Sequence, residues 1–236
     1  MLDGLPPAGP PLTTRGGHCY FLGGGAEGEA ALRAAVRERA ERGCDVVKVM
    51  VSGGNLTVGS LPHESQYDLA ALRAVVDEAH RAGLPAAAHV HAAQAVADAV
   101  EAGFDTLERV TFFTAGGVGA DPSLLDRIAA SGVVVSVTVG TIPDGSPPPP
   151  AIAQRMAPII ANHSRMFRAG ATTVPGTDAG VSPGKPHDVL PYALRALVER
   201  IGMTPLKPSG PPPPPLRARS GWRRQRAGSP PVPTPT

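Results

Sequence analysis

The sequence predicts an α/β fold of the TIM-barrel, (β/α)8 type, built from parallel strands that alternate with helices. Three observations predict it. From residue 27 onward, Glu/Arg/Ala segments with helical spacing alternate with short Val-rich runs, the pattern of βαβ units. Most of the helical segments end at a glycine suited to a left-handed cap: Gly43, Gly83, Gly103, Gly132 and Gly170. Polar residues interrupt the apolar runs chiefly at or just past their C-terminal ends, where barrel enzymes gather catalytic groups.

Taken in order, residues 11–14 read as the end of a strand, followed by a helix over 27–42 and a strand over 45–51 that contains Lys48. Helix 68–82 leads to strand 85–90, with His89 and His91 at its end. Helix 92–102 leads to strand 104–108, which delivers Glu108 and Arg109. Helix 122–131 precedes strand 133–139, and helix 152–169 precedes strand 171–175, with Asp178 just beyond it. Helix 189–201 closes the series. The strands are largely apolar, as expected where both faces are buried. A doubly wound nucleotide-binding sheet would want GxGxxG after its first strand. Neither Gly23, Gly24 and Gly25 nor Gly116, Gly117 and Gly119 supply that spacing, which disfavours an oxidoreductase or nucleotide-binding protein.

Composition sets limits on the function. With 236 residues, 42% hydrophobic and 18% charged, the chain can bury a sizeable core. Of its 22 basic residues, six lie in the tail beyond Leu206, where there is no acidic one; the remaining 16 face 20 acidic residues, so the body is mildly acidic. No nucleic-acid surface is therefore expected on the folded part. Cys19 and Cys44 form no metal or disulfide spacing, and no apolar run reaches the ~20 residues of a membrane span, so the expectation is a cytoplasmic chain with no membrane association. Residues 1–205 are expected to form one barrel domain and residues 206–236 a disordered Pro/Arg-rich tail, because that composition buries little apolar surface. Such text is also what a shifted reading frame of a GC-rich gene gives; a proline-rich ligand for an SH3-type domain is the competing reading.

Three places carry chemistry. His89 and His91 lie two apart on a strand and so share a face; each is a metal-ligand candidate, against the plainer reading of hydrogen-bonded histidines at a polar strand end. Asp178, in a Gly-rich turn after a strand, can ligate a metal or take a proton from water, or it is a turn residue. Lys48, between Val47 and Val49, needs a partner, neutralisation or modification if buried, unless it snorkels from an edge strand.

The segments GGHCYFLGG, DVVKVMVSGG, AAAHVHA, DTLERVTF and PGTDAG occur in the order and spacing of the metal-dependent amidohydrolase superfamily. Across residues 11 to about 205 the chain most resembles the imidazolonepropionase-related and prolidase-like branch. The resemblance implies a TIM barrel holding one or two divalent metals, commonly zinc, that activate water against an amide or related C–N bond of a small-molecule substrate. It implies metal ligation by Lys48, His89 and Asp178, with Asp178 also the general base. Lys48 matches the lysine that is carboxylated in binuclear members. His18, Tyr67 and His91 are implied as substrate contacts, although His18 equally suits a turn residue.

Two departures qualify that reading. No HxH pair precedes the Lys48 strand, so the chain reads as an incomplete, truncated barrel, roughly strands three or four to eight. The histidine expected after the sixth strand is replaced by Arg109, whose guanidinium has no lone pair for a metal. The expectation is therefore a C–N hydrolase impaired in this chain; the alternative is an inactive amidohydrolase-like remnant or binding protein. A complementing chain or homo-oligomer is an expected partner.

Overall fold

The computed structural model describes residues 8–142, 150–182 and 184–204. Its sheet contains β1 (Val47–Met50), β2 (Ala86–Ala92), β3 (Thr106–Thr114), β4 (Gly117–Val118), β5 (Val134–Val137) and β6 (Thr173–Pro175). Five strands are parallel in the order β1-β2-β3-β5-β6, while β4 folds back antiparallel on the end of β3. Every parallel strand thus neighbours the next one in the chain. A doubly wound sheet reverses its strand order, whereas a singly wound one curves toward a barrel, so the architecture is part of a TIM-type barrel. The expected strand over 11–14 survives as a bridge beside β1: Leu12 N–H donates to the Lys48 carbonyl and Met50 N–H to the Leu12 carbonyl, each at 2.8 Å.

The connecting helices are α1 (Glu29–Glu41), α2 (Leu69–Arg81), α3 (Ala93–Ala102), α4 (Pro122–Ser131), α5 (Pro150–Arg168) and α6 (Leu190–Ala196), the last running into a π-turn over Leu197–Ile201. Their ends follow local chemistry. The Asp68 carboxylate accepts the Ala71 N–H at 2.8 Å, and the Asp121 carboxylate accepts the Ser123 N–H at 2.8 Å ahead of α4, which starts on Pro122. Gly103 and Gly132 end α3 and α4 in the left-handed region.

Alternation along the strands divides the sheet into two chemically distinct faces. Val47, Val49, Val51, Ala86, Ala88, Val90, Leu107, Val135 and Val137 belong to the apolar core that packs under the helices. Fully burying each larger one contributes roughly 1.5–3 kcal/mol. The residues between them, Lys48, His89, His91, Glu108 and Ser136, are left on the inner, barrel-facing side. Register aligns them: Met50 lies beside His89, His89 beside Glu108 and Glu108 beside Ser136.

The strand expected over 104–108 continues to Thr114, because the chain bulges instead of stopping. Val90 pairs with Arg109 and Ala92 with Phe113, so three residues of β2 span five of β3. Arg109, Val110 and Phe112 take φ of 81°, 49° and 56°. Left-handed backbone at non-glycine residues costs on the order of 1–3 kcal/mol each and persists only where the surroundings enforce it. The expected tail over 206–236 lies outside the described residues.

Candidate functional site

The inner face opens at the C-terminal ends of the strands, and three imidazoles meet there. His18 comes from the loop after the Leu12 bridge, and its ring centroid lies 4.8 Å from that of His89. His89 and His91, on the same face of β2, have centroids 4.7 Å apart, edge to face. All three are buried. The sequence pairing of His89 and His91 is realised, and His18 joins them.

His18 is placed by Gln66, which precedes α2. The Gln66 carbonyl oxygen accepts the His18 N–H, and its amide group donates to the Met50 carbonyl, both at 2.5 Å. The His18 ring lies against Gly54, where a side chain would collide with it. His91 is fixed from both ends: its N–H donates to Ser52 Oγ at 2.7 Å, its Nδ1 lies 2.8 Å from Thr111 Oγ1, and its ring stacks on Phe113 at 5.4 Å. Arg155 of α5 covers the Phe113 ring at 5.2 Å.

Electrostatics favour neutral imidazoles. Burial, with His91, Lys48, His18 and Arg109 adding positive charge, holds His89 well below its ordinary value. Burial, then Arg109 and His18, lower His91 to about 3, and burial followed by Arg109 lowers His18. Lys48 is half-buried on the inner face: burial lowers it to about 8, against the opposing effect of Glu108 and reinforced by Arg109.

Arg109 and Asp178 form an ion pair. The β3 bulge delivers the guanidinium, and the loop after β6 delivers the carboxylate, with Asp178 itself in the left-handed region at φ 57°. That loop is fastened by Lys185, whose Nζ donates to the carbonyls of Thr138, Gly140 and Thr177, each at 2.9 Å. Tyr67 is engaged away from the histidines: its hydroxyl donates to the Ala26 carbonyl at 2.9 Å, and it lines a 420 Å³ cavity with Glu27 and Asp68.

A divalent ion does not fit these residues as they are arranged. Among the described residues His18 Nδ1, His89 Nε2 and Asp178 Oδ2 are buried without hydrogen-bond partners, so a zinc site of three protein ligands would need Asp178 beside the two imidazoles. The Asp178 carboxylate that could add to them is held by Arg109. Among the described residues no three His, Cys, Asp or Glu side chains are grouped to hold a metal.

The model of the amidohydrolase family matches residues 6–207. The chain belongs to the amidohydrolase family. Members of this family generally use divalent metals, which makes Arg109 the notable feature of this member. Ochratoxinase of Aspergillus niger is 30% identical over 191 residues, 77% of this chain and 37% of the relative. An uncharacterised protein of Mycobacterium tuberculosis is 30% identical over 192 residues, 75% of this chain and 48% of that one. Among solved structures, the chain superposes on A. niger ochratoxinase with a TM-score of 0.61 at 28% identity, covering 78% of this chain and 41% of that one. It superposes on a Xaa-Pro dipeptidase with bound methionine at a TM-score of 0.65 and 25% identity, covering 82% and 51%. The chain thus spans about half or less of these relatives.

Sequence reasoning missed Gln66, Ser52, Thr111, Lys185 and His163. Each acts by holding a backbone or a neighbouring ring through contacts distant in sequence. Only Gln66, a polar residue directly before Tyr67 and the Asp68 cap, carried a local signal.

Proposed function

We propose that the chain carries a site for water attack on the C–N bond of a small amide or cyclic amide, impaired here by Arg109. The observation that carries this reading is the gathering of His18, His89, His91 and the Arg109–Asp178 pair at the C-terminal ends of singly wound strands. Asp178 is the group that takes a proton from the attacking water, and His18 and His91 contact the substrate, with Tyr67 at the periphery. Amino-acid-derived amides are the favoured class; the similar dipeptidase structure holds methionine in its active site. Zinc is the ion we assign to the inherited metal requirement, with Lys48, His89 and Asp178 as its ligands once Arg109 is out of the way. At ~4 Å and an effective dielectric near 20, the guanidinium opposes a cation by roughly 4 kcal/mol per unit charge.

A second reading, a catalytically inactive member that binds small molecules, is favoured by the same ion pair, since it engages the proposed base. Assays of the full chain with zinc on dipeptides, N-acyl amino acids and cyclic amides separate the two. The hydrolase reading expects slow turnover that Asp178→Asn reduces at least ~100-fold, the usual reach of acid–base catalysis. Turnover indifferent to Asp178→Asn would place the chemistry elsewhere, and saturable binding without turnover would favour the second reading.

A further inference from the structure

We propose that His163 is the positioning residue of the site: from α5 it clamps the backbone of the β3 bulge and so holds Arg109 against Asp178. His163 is 2% exposed, and its Nε2 is 2.9 Å from the carbonyl oxygen of Val110, 53 residues away in sequence. The geometry fixes its tautomer, since a carbonyl only accepts and Nε2 must carry the proton. Its other nitrogen, Nδ1, is buried with no hydrogen-bond partner among the described residues. The polar side of this ring is thus committed to the bulge. Burial, opposed by the backbone of Val110 and Arg109, lowers His163 to about 4, consistent with a neutral donor.

The bulge needs such a clamp. Three non-glycine residues within four positions sit in the left-handed region, among them the β-branched Val110, and the ladder with β2 is interrupted across them. Val110 is fully buried, so its carbonyl would be left unsatisfied without His163. The same bend turns Arg109 toward Asp178 and brings Thr111 and Phe113 into contact with His91. One hydrogen bond therefore underlies contacts to both the ion pair and the histidine cluster. This inference is independent of whether the chain hydrolyses anything.

The test compares His163→Gln, which keeps an amide donor in reach of the Val110 carbonyl, with His163→Leu, which fills space and donates nothing. Two signals report on the full-length chain: hydrogen exchange of the amides of residues 109–113, and the ¹⁵N resonance of the Arg109 Nη2 group that faces Asp178. The expected result is exchange at the bulge at least about tenfold faster in the Leu variant, with helix α2 unaffected and the Arg109 resonance moved to that of a free arginine. The Gln variant restores both to near wild type. Unchanged bulge exchange and an unchanged Arg109 resonance in the Leu variant would overturn the proposal, as would equal, chain-wide acceleration in both variants, which would mark His163 as core filling. Should the Leu variant fail to fold, the Gln variant decides alone: a wild-type bulge and Arg109 resonance support the clamp, and a tenfold loss of protection confined to the bulge overturns it.

Discussion

Arg109 reinforces what burial does to the electrostatics of this site, and its reach is visible in its neighbours. Its charge adds to burial in lowering His18, His91, Lys48 and Lys185. Neutral buried histidines make stability depend on acid in a defined direction. An unfolded histidine binds its proton near 6.5, whereas folded His91 resists until about 3 and folded His163 until about 4. Between those limits the unfolded state holds more protons, so acid favours unfolding. The melting temperature should fall steadily as pH drops from about 6.5 toward 4, and this dependence should weaken in His163→Gln. His80 works oppositely: the hydrogen bond to Asp105 raises it, so its support is full below its ordinary value and fades at higher pH. Being half exposed, it contributes little. A separate residue-scale prediction concerns Gly54. An added methyl there meets the His18 ring, so Gly54→Ala should displace the imidazole and cost on the order of 1–3 kcal/mol, measured by denaturant unfolding.

At the scale of elements, the bulge and the loop after β6 place the two members of the ion pair. Lys185 joins that loop to the end of β5 through three carbonyls, and replacing it with methionine leaves all three short of a donor. Lys185→Met should destabilise the chain by roughly 1–3 kcal/mol and speed amide exchange across residues 176–189. Unaltered exchange there would show that the loop is held by other means. The helices and most strands were legible in the sequence within a few residues, because their signals are local: Asp68 and Asp121 cap, Gly103 and Gly132 terminate, and valines alternate. The β3 extension and the β4 hairpin were not legible. TLERVTFFT does not announce that Val110 will take a positive φ, and the cause, His163, lies on a helix 53 residues later. The role of Lys185 is not legible for a related reason: a lysine in a Gly/Pro-rich loop has the sequence signature of a solvated charge, and its three acceptors are set by the fold.

For the whole molecule, the sequential strand order is what brings these residues together. It sets Lys48, His89, Glu108 and Arg109 on neighbouring strands and leaves the helices to cover the other face. Sequence patterning anticipated this arrangement from polar residues at strand ends, and the family match agrees with it. What patterning could not show is that Asp178 would face a cation, because an ion pair between distant loops leaves no periodic trace. No described helix is long and apolar enough to cross a membrane. In the function proposed above, Arg109, by pairing with Asp178, occupies the place of the metal. Calorimetric titration of zinc into the wild-type chain and into Arg109→His tests it most directly. The prediction is weak binding by the wild type and at least a tenfold gain in affinity on substitution, a difference of about 1.4 kcal/mol or more. Tight stoichiometric zinc in the wild type, unchanged by Arg109→His, would contradict it.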